Sequence, residues 1–172
     1  MKYQWIVFDA DETLFHFDAF TGLKQLFSNY DIVFEKSDFD EFQAVNKPLW
    51  VDYQNGTITA KELQIKRFTR WGETLGVAPE LLNQQFIEAM ADICQCLPGA
   101  RKLLELLHGK AKLAIITNGF TALQQVRLAR TDLTHFFELQ FDSVVVTASF
   151  LVIKPRRVLL SVFLLCHIWY QC

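Results

Sequence analysis

Trp5-Ile6-Val7-Phe8-Asp9-Ala10-Asp11-Glu12-Thr13 is the stretch on which the fold turns. Its first four residues are a short run of β-branched and aromatic side chains, the pattern of a strand covered on both faces of a sheet. Acids follow at once. Open α/β sheets bind ligands beyond the carboxyl ends of their strands, so a buried strand that ends in carboxylates predicts a site as well as a strand. Leu113-Ala114-Ile115-Ile116 is a second such run, followed by Thr117-Asn118-Gly119 and a helical pattern through Leu123, Val126, Leu128 and Arg130. Together they predict two strands of one parallel sheet.

A crossover between parallel strands needs only about a dozen residues, yet Asp9 and Thr117 lie 108 positions apart. An insert must fill the interval. Ser37-x-x-Asp40 and Thr59-x-x-Glu62 have the form of capping boxes, the second followed by Leu63, Phe68, Trp71 and Leu75 on a helical face. Leu82, Phe86, Met90 and Ile93 recur at helical spacing after Pro79, a favourable first-turn residue. Pro98-Gly99-Ala100 restarts a helix through Leu103, Leu104, Leu106 and Leu107 that ends near Gly109. The expected organisation is an α/β core in residues 1–16 and 97–142, an all-helical insert in 17–96 and an apolar tail in 143–172.

Composition sharpens that division. The 172 residues carry a net charge of −2, with 21% charged and 51% apolar side chains, which excludes a disordered chain and gives no basic footprint for nucleic acid. The average conceals a break. Residues 143–172 hold three basic side chains (Lys154, Arg156, Arg157), no acid and 20 apolar residues out of 30, while residues 1–142 hold 14 basic and 19 acidic ones, a net of −5. All seven glycines lie at or before Gly119, although further sheet turns would need them. Val158 to Tyr170 shows neither helical polarity nor strand alternation, and the 15 residues 158–172, free of Asp, Glu, Lys and Arg, fall short of the ~18–20 that span a bilayer. The expectation is a reading frame interrupted after about residue 140, with an unrelated tail and a large apolar patch exposed where the second strand and its helix lose their neighbours. The N-terminal apolar run is too short for a signal peptide, and Cys94, Cys96, Cys166 and Cys172 lack zinc or C-x-x-C spacing, so reduced thiols in a cytoplasmic protein are expected.

Two carboxylates two residues apart on a strand-end turn can converge on one volume and divide the work of nucleophile and proton carrier. Asp9 and Asp11 have that spacing, and so would a plain acidic turn with Thr13 capping the next helix. Thr117-Asn118-Gly119 offers a hydroxyl and backbone N–H groups at a helix N-terminus, an anion site or simply a cap and turn. Acids at one strand end and an anion cradle at another make a coherent phosphoryl-transfer site.

The stretch from Met1 to about Phe137 resembles the haloacid dehalogenase-superfamily phosphatases: Asp9-x-Asp11-x-Thr13 matches their first motif, Thr117-Asn118-Gly119 the second, and the helical insert their cap. Asp9 to Phe15, Ala44 to Trp50, Asp52 to Gly56 and Ile116 to Phe120 are similar, more narrowly, to bacterial pyrimidine 5′-nucleotidases acting on dUMP, UMP and dTMP. The resemblance implies a Rossmannoid parallel-sheet core, incomplete at the C-terminus, with a helical cap, and a small nucleoside monophosphate as substrate. It makes Asp9 the nucleophile and Asp11 the acid and base. It gives Thr117, Asn118 and Lys154 the phosphate, and sets Mg²⁺ on Asp9 and Asp11. Trp50, Tyr53, Phe15, Phe17 and Trp71 are candidates to stack on a base, or aromatic packing of the insert. The pattern departs from the family in two places: Ser149 to Ile153, before Lys154-Pro155, lacks the usual acid and glycine, and no Asp or Glu follows Asp142 to complete a metal site. Those departures leave two alternatives to an active phosphatase: a non-catalytic, partner-binding fragment, or a peripheral membrane protein held by its tail.

Overall fold

The computed structural model describes residues 4–117, 119–142 and 158–160. Strand β1 is Trp5–Phe8 and β2 is Lys112–Thr117; they pair in parallel with Ile6 opposite Leu113 and Phe8 opposite Ile115. Strand β3, Leu139–Asp142, runs parallel on the far side of β2 with Asp142 opposite Thr117, and β4, Val158–Leu160, runs parallel on the far side of β1. The order is β3-β2-β1-β4. An interior position explains the unalternating β1 sequence, because Ile6, Val7 and Phe8 are buried in succession.

β4 corrects the reading of the tail. Val158–Leu160 lies where the sequence shows neither helical polarity nor strand alternation, yet it pairs with Trp5 to Val7. A strand of a parallel sheet reads as a continuous apolar run without alternation, and Val158-Leu159-Leu160 sits inside a longer apolar stretch that does not mark where the strand starts or stops. The rest of residues 143–172 lies outside the described residues. Among the described residues no helix is long and apolar enough to cross a membrane.

The chain divides into two compact units, one from Met1–Phe17 with Cys94–Cys172, the other Asp18–Ile93. The first contains the sheet with α6 (Ala100–Leu107) and α7 (Thr121–Arg130). Its core gathers Ile6, Phe8, Leu14, Phe15, Leu104, Leu113, Ile115, Leu128 and Leu133. Each such side chain contributes roughly 1.5–3 kcal/mol by leaving water. Phe17 and Cys94 to Cys96, which the sequence assigns to the insert, belong instead to this unit. Antiparallel pairing holds the two crossing segments together: Phe15 bridges Cys96, His16 N–H donates to the Gln95 carbonyl at 2.9 Å and Leu97 N–H to the Leu14 carbonyl at 2.9 Å.

The second unit is helical: α1 Ala19–Ser28, α2 Lys36–Gln54, α3 Ala60–Lys66, α4 Thr69–Leu75 and α5 Pro79–Asp92. The Thr59/Glu62 capping box is formed, with Glu62 N–H donating to the Thr59 hydroxyl and Thr59 N–H to the Glu62 carboxylate. The Ser37/Asp40 box is not. α2 starts earlier, on a Glu35/Asp38 box in which Glu35 N–H donates to Asp38 at 2.8 Å. The face expected to run unbroken through Leu63, Phe68, Trp71 and Leu75 divides at Arg67–Phe68, where the buried Arg67 guanidinium donates to Asn83. Aromatic rings fill the interior: Phe27 stacks on Phe34 at 4.9 Å and meets Trp71 at 4.3 Å, and Phe68 touches both Phe42 and Phe86.

Candidate active site

The loop after β1 turns back on itself within six residues. Ala10 carbonyl accepts from Leu14 N–H at 2.9 Å and Phe15 N–H at 3.0 Å, and Glu12 N–H donates to the Phe15 carbonyl at 2.8 Å. Glu12 takes φ +53°, a left-handed conformation costly for a side-chain-bearing residue, and its carboxylate accepts from Phe17 N–H at 2.7 Å. No helix follows for Thr13 to cap; α1 begins at Ala19 with Asp18 as its cap, accepting from Thr21 N–H at 2.9 Å. The loop places Asp9 and Asp11 just beyond the carboxyl end of β1.

Asp9 accepts from Ala10 N–H at 2.8 Å. Burial, reinforced by the nearby Asp11 charge and only partly offset by that hydrogen bond, pushes its carboxyl up to about 6. At neutral pH it stays mostly ionised while being more basic than an ordinary aspartate, a useful property in a nucleophile.

At the end of β2, Thr117 is 2% exposed and its hydroxyl accepts from Gly119 N–H at 3.0 Å. The N-terminus of α7 follows, capped by no side chain. Glycine is needed here for closeness: a Cβ at Gly119 would stand 3.1 Å from Gln124 Nε2, 3.3 Å from Thr117 Oγ1 and 3.5 Å from Asp11 Oδ2. One small volume thus brings the acidic loop and the threonine loop together across more than a hundred residues of sequence. Asn118 and Lys154 lie outside the described residues.

Two further residues of this volume escape the sequence reading. Arg127 is fully buried; its Nη1 pairs with Asp11 Oδ1, and its guanidinium carbon lies 5.8 Å from the Phe15 ring centre and 5.5 Å from that of Phe17. Gln124, one turn earlier, is 1% exposed, and neither its carboxamide atoms nor Arg127 Nε and Nη2 find a hydrogen-bond partner among the described residues. The signal was a helix whose buried face is Leu123, Gln124, Arg127 and Leu128, half of it polar.

Among the five stacking candidates, Phe15 is 0% exposed in the sheet core and Trp71 packs on Phe27 and Phe34, so packing claims both. Phe17 lies half-buried against Arg127; Trp50 and Tyr53 are buried and meet edge to face at 5.8 Å. Cys94 and Cys96 are free thiols, and burial pushes Cys94 up to about 11, leaving little reactive thiolate. No cluster of three or more His, Cys, Asp or Glu side chains suited to a metal occurs among the described residues.

The chain belongs to the haloacid dehalogenase-like hydrolases, whose family model matches residues 3–160. The match runs beyond Asp142 and takes in β4, so family-like sequence extends further than the resemblance to about Phe137 implies. Among characterised relatives, the pyrimidine 5′-nucleotidase YjjG of Escherichia coli is 56% identical over 157 residues, 91% of this chain and 68% of that protein. The pyrimidine 5′-nucleotidase PynA of Streptococcus pneumoniae is 34% identical over 83% of this chain and 62% of its own length. The magnesium-bound crystal structure of the HAD-hydrolase YfnB from Bacillus subtilis superposes with a TM-score of 0.69 at 28% identity, covering 82% of this chain and 65% of that one. The chain thus spans about two thirds of the length of these relatives.

Proposed function

We propose that the chain is a phosphatase of nucleoside 5′-monophosphates, pyrimidine nucleotides first, working through an aspartyl-phosphate. The observation that carries this is the convergence of Asp11, Thr117 and Gly119 beside a carboxyl, Asp9, held at about 6. Identity to two pyrimidine 5′-nucleotidases supports the substrate class. In this reading Asp9 attacks phosphorus in line. Asp11 hands a proton to the departing 5′-oxygen, then takes one from the water that hydrolyses the acyl phosphate. The Thr117 hydroxyl and the Asn118 N–H hold phosphate oxygens, with Lys154 as a further positive charge.

The donor chemistry fits Mg²⁺: a hard cation that keeps several waters and takes a substrate oxygen needs few protein oxygens, and the Asp9 carboxylate with the Asp11 carbonyl would supply them. Bound there, it would neutralise charge on the transferring phosphoryl group. Inert, reduced cysteines fit a cytoplasmic setting. A second reading, nucleotide binding without turnover, draws on residues 143–172, which hold no carboxylate.

Phosphate release from dUMP, UMP and dTMP decides between them. Release that needs Mg²⁺ and disappears in Asp9→Asn is expected. Binding of UMP with no release would establish the second reading, and release undiminished by Asp9→Asn would remove Asp9 from the mechanism.

A further inference from the structure

We propose that Arg127 is the positioning residue for Asp11, and that it sets the capacity of this site to expel strongly basic leaving groups; the inference rests on Asp11 acting as the acid. Three observations carry it. Arg127 is 0% exposed and spends one donor, Nη1, on Asp11 Oδ1, while Nε and Nη2 have no partner among the described residues. A buried guanidinium that serves stability alone has its donors filled, whereas among the described residues the one donor of Arg127 that is spent goes to Asp11. The rings of Phe15 and Phe17 near its guanidinium, at 5.8 and 5.5 Å, fix the group in place. Finally, with Oδ1 held, the other Asp11 oxygen is the one turned to the threonine loop: Oδ2 lies 3.5 Å from the point where a Cβ on Gly119 would stand, beside Thr117 Oγ1.

A carboxyl group rotates over a broad, nearly two-fold torsional profile about its terminal bond. Clamping Oδ1 removes that freedom and presents Oδ2 alone to the phosphate cradle. In the first step the Asp9 oxygen bonds to phosphorus, the phosphorus–ester oxygen bond breaks with its electron pair on the leaving oxygen, and that oxygen takes the Oδ2 proton. In the second, Oδ2 accepts a proton from water as the water oxygen bonds to phosphorus and the Asp9–phosphorus bond breaks. A nucleoside alkoxide cannot leave readily without the proton; p-nitrophenolate, weakly basic, can. Misplacing Oδ2 should therefore penalise the first step for one ester and spare it for the other, while the second step, common to both, slows alike.

The test uses the full chain with Mg²⁺, comparing wild type, Arg127→Met, Arg127→Lys and Asp11→Asn on UMP and on p-nitrophenyl phosphate in the same preparation. The ratio of the two rates does not depend on the folded fraction. Arg127→Met is expected to lower kcat/KM for UMP about 100-fold with kcat/KM for p-nitrophenyl phosphate within about 3-fold of wild type, while kcat falls for both esters to the extent that the shared second step limits turnover. Asp11→Asn should show the same selectivity, and Arg127→Lys should recover part of the UMP rate. Parallel loss of kcat/KM for both esters, kcat/KM unchanged for both, or failure of both Arg127 variants to fold overturns the proposal and makes Arg127 a structural residue. Wild-type release that survives Asp9→Asn brings down the underlying mechanism, and is seen before any Arg127 variant is made.

Discussion

Asp9→Asn should destroy activity and stabilise the protein. Burial raises the folded-state value of Asp9 from 3.8 to about 6, so the native protein binds the Asp9 proton more tightly than the unfolded chain does. Between those two values the folded state carries more protons, and stability therefore falls as pH rises through the window. Above about 6 the full penalty of an ionised, half-buried carboxylate is present. A difference of two units corresponds to about 3 kcal/mol, and because Asp9 is partly open to solvent, screening reduces this to roughly 1–2 kcal/mol. Asparagine keeps the shape and the acceptor for Ala10 N–H, and carries no charge.

The measurement is thermal unfolding of wild type and Asp9→Asn in chelator, free of nucleotide, since any ligand of the Asp9 carboxylate would offset the penalty. At pH 7.5 the variant should melt roughly 2–8 °C higher. At pH 4.5, where native Asp9 is already largely protonated, the advantage should shrink to about a third. An equal melting point at pH 7.5, or a gain of the same size at both pH values, would refute the account of Asp9 as a carboxyl strained by desolvation.

Thr117→Val removes the acceptor of the buried Gly119 N–H along with the hydroxyl offered to phosphate. It should cost about 1–3 kcal/mol in denaturant melts and about 100-fold in kcat/KM, with Thr117→Ser retaining both; a fully active valine variant would remove the hydroxyl from the site. In the helical unit, Gly72→Ala puts a Cβ 2.7 Å from the Val77 carbonyl and 3.0 Å from Pro79 Cγ. That carbonyl belongs to backbone held by the Val77 N–H bond to Gly72, so the clash should cost about 1–3 kcal/mol, and an unchanged urea midpoint would contradict it.

What the sequence discloses follows the range of the interaction. β1, β2 and the Thr59/Glu62 box are legible because each is decided within a few neighbouring residues. The α2 start is a near miss of the same kind: Glu35 and Asp38 have the spacing of Ser37 and Asp40, and only the fold decides which pair closes. Phe15 and Trp71 illustrate a different limit, since an aromatic residue near a site has the same pattern whether it meets a ligand or the core. β4 is non-local altogether, a three-residue strand defined by Trp5 to Val7 more than 150 positions away.

Arg127 combines both difficulties and shows what signal remains. A core-facing stripe at positions 123, 124, 127 and 128 of α7 ought to be apolar, since glutamine and arginine are seldom fully buried unless paired. Counting only Leu123, Val126 and Leu128 hides the discrepancy and tilts the inferred face toward Val126, which is only half-buried. Counting the helix by its true face leaves two polar side chains pointing inward, just after a strand-end Thr-x-Gly. Such a face needs an acid to meet it, and Asp11 does so at the end of the neighbouring strand, 116 residues away. A polar interruption in the apolar stripe of a helix that follows a phosphate-type loop is therefore a site signal in its own right. It points from α7 back to β1, and it locates Asp11 by a route independent of the Asp-x-Asp spacing.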